Sequence, residues 1–271
     1  DSFWIANRHM DLQETEQGIY NMVDSLKRTK TYRVYEYLAR TISSGYVKLG
    51  PIGLGPIVSL VSRNDLEGWR FRLGFRTNSS FSKRIRFNGY AAYGLMDERI
   101  KYGGRFQFIL SKKPWNKITI QARTDVDLMS RHAEEMDQDN VFTIIQKPNT
   151  RQRLYNVDEY LFRYDTELHN DLTAYLTVAH KRMTPGFPFA YKKGDVLRNQ
   201  INISEVGLLV RWQYKARPLP GTFNREASAS TLFAQFRKKN SFPVFYARYF
   251  KGFRDIIESD FDYHDISAGM Q

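Results

Sequence analysis

Eight arginines, Arg70, Arg72, Arg76, Arg84, Arg86, Arg105, Arg123 and Arg211, fall in stretches where polar and apolar residues alternate. A guanidinium stays charged at any working pH and forks onto carboxylates or phosphates. Eight of them facing one way therefore allow two chemistries. They could gather anions in a pore or hold a plug through paired carboxylates. Alternatively, they neutralise Glu67, Asp97, Glu98, Asp165, Glu167 and Glu205 in an internal salt-bridge network. The network is the favoured reading, because unpaired like charges in a confined space repel.

Other reactive constellations are weak. The five histidines, His9, His132, His169, His180 and His264, include no pair at the i, i+4 spacing of a helical zinc site. The acidic run 125–139, DVDLMSRHAEEMDQD, lacks the ordered positions and central glycine of an EF-hand loop, so it reads as a solvated outer loop. No phosphate-cradling GxGxxG and no GxSxG occurs. With no cysteine there is no thiolate nucleophile, and Ser, His and Asp are dispersed. The expectation is a protein without catalysis, cofactor or metal.

The arginines need elements to position them. Ile19, Met22, Val23 and Leu26 keep a helical period, as do Tyr35, Leu38 and Ile42, which predicts a helix pair within 11–44. Glu14, Glu16, Lys27 and Arg28 give it a wet face, and Gly45 and Gly50-Pro51 end it. From about residue 52 the period becomes two. Trp69, Phe71, Leu73 and Phe75 oppose Arg70, Arg72 and Arg76; Ile85, Phe87 and Tyr93 oppose Arg84, Arg86 and Asn88. The same alternation runs through 102–110, 117–123, 160–165, 172–178 and 205–213, with further strands at 230–237, 243–251 and 259–268. The first strand, 52–62, is weakened by Gly53, Gly55 and Pro56. It reads as a linker or as a seam that can open sideways.

These strands give an all-β fold, an antiparallel transmembrane β-barrel of about ten or eleven strands that is incomplete, with a helical segment at 1–50 and the barrel portion at 51–271. Connection lengths agree: 129–153 and 185–203 fall on one side, the short turns 79–83, 112–116 and 169–171 on the other. The stretch 216–229 is too long for its side. Mean hydropathy is −0.54 and no stretch is apolar enough for a spanning helix, a test that alternating strands escape. The net charge of +12 would suit a polyanion binder, but its cations are spread singly along strands, so nucleic acid is not an expected partner. A soluble basic sandwich or lipocalin-like barrel is the alternative architecture.

The phrases GYVKLGPIGLGP after the helices, NDLEGWRFRLGFRTN at 64–78, GYAAYGLMDERIKYG at 89–103, LFRYDTEL at 161–168, EVGLLVRWQY at 205–214 and FPVFYARYFKG at 242–252 carry a resemblance. Together they resemble a Bacteroidota-type outer-membrane family in which a carboxypeptidase-regulatory-like sandwich precedes a barrel of unknown function. The resemblance implies the bacterial outer membrane, a periplasmic amino-terminal part, and a barrel distantly similar to the BamA and TamA insertases. Its implied partners are outer-membrane lipid and other outer-membrane proteins. It implies no peptidase activity and supplies no functional residues. It also implies the sandwich before Asp1 and closing strands after Gln271, so the chain reads as part of a longer protein, with sheet edges left open at both ends.

Overall fold

Alternation with a period of two becomes one large antiparallel sheet. A computed structural model of the chain describes residues 13–128, 154–169, 171–193, 195–213 and 243–270. The chain divides into two compact units, one up to Ser43 and one from Ser44 onward.

The first unit holds helices α1 (Glu14–Arg28) and α2 (Lys30–Ser44). Thr29 separates them: its backbone is extended, and both its N–H and its hydroxyl donate to the Leu26 carbonyl, at 3.0 and 2.6 Å. Glu14 and Glu16 in the first turn and Lys27 and Arg28 in the last complement the dipole of α1. Ile19, Met22 and Leu26, the predicted apolar stripe, are exposed.

The second unit contains β1 (Val47–Leu49), β2 (Ile52–Leu54), β3 (Val61–Asn64), β4 (Gly68–Thr77), β5 (Ile85–Gly94), β6 (Ile100–Lys112) and β7 (Trp115–Leu128). It continues with β8 (Leu154–His169), β9 (Leu172–Pro185), β10 (Tyr191–Lys193), β11 (Val196–Arg198), β12 (Ile201–Gln213), β13 (Val244–Gly252) and β14 (Tyr263–Met270). The sheet order is β1-β2-β4-β5-β6-β7-β8-β9-β12-β13-β14, with β3 also on β4 and β10-β11 a separate hairpin. Every long strand pairs with its sequence neighbour. Among the described residues β14 has β13 as its sole partner strand, so the sheet is not closed into a barrel.

The burial pattern inverts that of a soluble protein. Along β4, Trp69, Phe71, Leu73 and Phe75 are exposed while Arg70 is buried, and Leu73 is 63% exposed. Elsewhere Tyr102, Ile120, Phe162, Leu176, Leu208 and Ile266 lie open, and Arg86, Lys101, Lys117, Glu159 and Asp165 are buried. The buried apolar cluster among the described residues is Ile109 with Trp115. The ordering principle is therefore a polar interior.

Curvature makes that interior possible. A flat sheet would hold β4 and β7 about 14 Å apart across two intervening strands. Arg70 Nη1 on β4 instead sits 2.6 Å from Asp125 Oδ1 on β7. The Tyr263 hydroxyl on β14 likewise donates to Glu205 on β12 at 2.5 Å. The sheet curls around its charged face.

Antiparallel order fixes which connections share an end. Residues 129–153 and 186–200 leave the same end as turn 95–99, here called upper; 78–84, 113–114 and 170–171 lie at the lower end, as the connection lengths suggested. β12 ends at the lower end and β13 starts there, and the stretch 216–229 lies outside the described residues. The strand expected at 230–237 lies outside the described residues; among the described residues β12 pairs with β13, Glu205 opposite Gly252 through Gln213 opposite Val244.

Two expectations are corrected. The strand expected at 259–268 starts only at Tyr263, because the preceding segment is held along β12: Phe253 N–H donates to the Ser204 carbonyl and Asp260 N–H to the Asn202 carbonyl, at 2.9 and 2.8 Å. The first strand is not continuous over 52–62. It breaks after Leu54 into a 3-10 turn at Ile57–Ser59 and resumes as β3. Gly55 has φ +144, donates from its N–H to the Gly74 carbonyl at 2.8 Å, and would bring a Cβ to 2.6 Å from the Gly45 carbonyl oxygen. Three glycines thus meet where the chain enters the sheet, and side chains would prevent the crossing.

Candidate functional site

The polar face of the sheet gathers the charged side chains. Glu67, 0% exposed, is its best-enclosed acid. Asn64 donates to it, Arg70 Nη1 lies 3.1 Å from its Oε2, and Lys101 Nζ lies 2.8 Å from its Oε1. Lys101 also pairs with Asp97, and Tyr90 donates its hydroxyl to Asp125 beside Arg70. Further along, Arg123 binds Asp127 and Glu159 at 2.6 Å each, and Lys181 reaches Glu205 at 2.7 Å. Each of these charges has a close counter-charge, which burial requires because an unpaired ion loses its hydration without compensation.

Toward the lower end the partners change. Arg105 donates from Nε to Gln121 Oε1 at 2.7 Å. Arg72 stacks 4.0 Å above the Tyr90 ring and Arg76 3.5 Å above Tyr46. Asp165 is shared between Lys117 at 3.0 Å and Arg163 at 2.8 Å. Glu167 accepts the Trp115 backbone N–H at 3.2 Å. Outside the strands, a hydrogen bond from Lys251 holds the Asp262 carboxyl below its ordinary range.

Seven of the eight sequence-selected arginines stand in strands. Arg70, Arg72 and Arg76 project from one face of β4, Arg86 from β5, Arg105 from β6, Arg123 from β7, and Arg211 stands opposite Thr173 and Tyr246 on β12. Arg84 is different: it precedes β5 in the lower turn and is exposed. Among the proposed counter-charges Glu67, Asp97, Asp165 and Glu205 are in ion pairs, while Glu98 lies exposed in the β5–β6 turn at φ +50. Of the seam residues, Gly53 pairs with Arg76 in β2, and Gly55 and Pro56 form the break.

Asp125 and Asp127 correct the sequence reading. They belong to β7 and bind Arg70 and Arg123 on the polar face, so the acidic run does not begin a solvated loop. Residues 129–153 lie outside those described. Composition of the run hid the parity that continues from Lys117 through Gln121 and Arg123 to Asp127. Sequence reading also passed over Lys101, Glu159 and Lys181, although each falls on the polar parity of its strand. Among the described residues no group of three His, Asp or Glu could hold a metal ion.

Neither the curated proteins nor the solved structures include a match to the chain. Residues 40–185, from the end of α2 through β9, match the C-terminal domain of a family of unknown function, DUF5686, and with more than half of its length covered the chain belongs to that family.

Proposed function

We propose that the protein is an outer-membrane β-barrel component with a structural, transport or outer-membrane-assembly role and no catalysis, as its resemblance to the BamA-type barrels also suggests. The observation that carries this reading is the inverted sheet, with large apolar side chains outside and paired charges inside. Hydrocarbon is the solvent that suits such an exterior, since soluble monomers rarely expose large contiguous apolar patches. The long strands of 8 to 16 residues are compatible with a tilted bilayer crossing. Full-length protein should partition with outer membranes, require detergent, and migrate differently on gels before and after boiling. Recovery from the aqueous fraction without detergent sinks the reading and favours a soluble basic β protein that binds polyanions.

The interruption at Gly55 and Pro56 favours an assembly role within this reading. A short, broken strand on β4 is a weak partner, and a strand edge that opens can pair with a client strand. A disulfide engineered between residues 53–60 and the last strand of the full-length protein should abolish function; full activity in the locked form excludes the seam. The second reading, an anion-attracting pore, draws on the stacked Arg72 and Arg76. Planar-bilayer conductance should then prefer anions and lose that preference on charge reversal at Arg72 and Arg86.

A further inference from the structure

Both helices carry an apolar stripe. Ile19, Met22, Val23 and Leu26 of α1 fall within an arc of about 100° at 3.6 residues per turn; Tyr35, Leu38 and Ile42 line α2, bordered by Val34 and Tyr32. Among the described residues neither helix covers the stripe of the other. Ile19, Met22, Leu26, Tyr35, Leu38 and Ile42 are each 46–68% exposed, and no apolar residue of either helix is buried. A helix of 15 residues is marginal in water by propensity alone, and most helical stability comes from packing an amphipathic face. These two helices therefore need a surface to lie on.

Charge at their junction indicates which surface. Lys27, Arg28, Lys30 and Arg33 crowd residues 27–33, all exposed, and no acid falls between Asp24 and Glu36. Arg33 Nε donates to the Lys27 carbonyl at 3.4 Å, which holds the Arg33 charge at the end of α1. On the helical wheel Lys27 borders the stripe of α1, and its stem is long enough to follow apolar surface while its ammonium stays wet. Anionic phospholipid supplies acyl chains for the stripes and phosphates for the cations in a single layer. Tyr32 and Tyr35 suit the headgroup level, where a ring can be apolar on one side and wet on the other. Neither helix is long and apolar enough to cross a membrane, so this surface is one to lie along. Only Gly45 and Tyr46 separate α2 from β1. So short a tether to a membrane-held sheet puts lipid at high effective concentration, an argument that rests on the membrane reading proposed above. The stripes and the cations do not depend on it.

We propose that α1 and α2 form an interfacial membrane anchor, lying in the plane of an anionic phospholipid surface with their stripes at the acyl boundary and their basic junction held by the headgroup phosphates.

The test uses full-length protein reconstituted in vesicles of phosphatidylcholine and phosphatidylglycerol, with bimane on single introduced cysteines. On Met22→Cys, in the stripe, the label should be quenched by nitroxide-bearing lipid and shielded from aqueous acrylamide. On Asn21→Cys, on the opposite face, the preference should reverse; Leu38→Cys should behave as Met22→Cys. Lys27→Gln and Lys30→Gln should each lower the bound-to-free ratio read from the quenching by about fivefold, and vesicles of phosphatidylcholine alone should lower it further. Equal quenching at residues 21 and 22 overturns the anchor. Shielding of the residue 22 label from both quenchers also overturns it and gives the stripes to a protein surface, whether a second copy or another chain. Indifference to both lysine changes and to lipid charge overturns the choice of an anionic surface. Heat-modifiable gel mobility of the same samples reports on the sheet separately. A heat-modifiable protein with equal quenching at residues 21 and 22 keeps the barrel and loses the anchor. A protein whose mobility ignores boiling, but whose residue 22 label is quenched by the nitroxide lipid of added vesicles, does the reverse.

Discussion

Glu67 shows how much one carboxylate can hold in this sheet. It is enclosed among Asn64, Arg70 and Lys101, and two cations from β4 and β6 converge on it. Glu67→Gln keeps the volume and removes the charge, so the cations are left with Asp125 and Asp97 alone. A loss of about 3 kcal/mol in unfolding free energy is expected, in the range for breaking a buried pair. Lys192 and Asp195, by contrast, form an ion pair at 3.4 Å in solvent. Lys192→Ala should produce no measurable change in unfolding free energy when both variants are titrated with urea, because water and salt screen exposed charges. Equal effects at the two sites would deny the polar face its structural weight. At this scale parity made the arginines legible from sequence, since a side chain two residues from Arg70 must share its face. Their counter-charges were less legible: Asp125 is 55 residues from Arg70, and only curvature brings the two together.

Strands lock to one another through glycines covered by rings. On the polar face a Cβ at Gly207 would collide with the Phe250 ring, one at Gly252 with Tyr263, and one at Gly269 with the Tyr246 hydroxyl. These contacts join β12, β13 and β14 in succession. Gly207→Ala should cost about 1–3 kcal/mol by overpacking. Gly207→Ala with Phe250→Ala should cost less than the sum of the single changes, measured as a double-mutant cycle of unfolding free energies. Additive effects would mean that the ring does not rest on the glycine. The long strands were readable because their apolar positions alternate without interruption. The 52–62 segment was misread as one strand because its apolar residues continue through Gly55, while the backbone there crosses Gly45 and Gly74. Nothing local in the sequence announces that three distant glycines meet.

Taken whole, the sheet offers apolar side chains outward over nearly its full length, and the medium around it should decide the effect of a substitution there. Leu73 sits midway along β4 and is largely exposed. In a bilayer Leu73→Arg should cost about 2–4 kcal/mol, whereas on a surface facing water it should be nearly neutral. Reversible unfolding of the full-length protein in lipid vesicles distinguishes these outcomes, and a neutral result counts against the membrane. The fold class followed from sequence to the extent of a large antiparallel sheet with a helical entrance. Closure did not follow, because it depends on what pairs with β14 and with the broken strands at the other edge. Among the described residues each long strand meets the long strand before it. The chain can accordingly add one hairpin at a time, with the turns 78–84, 95–99 and 113–114 closing short loops at small entropic cost, and the nucleus can start at any of these tight turns. Only an eventual joining of the two edges would demand an encounter between residues some two hundred positions apart, which makes that last pairing the natural slow step of assembly.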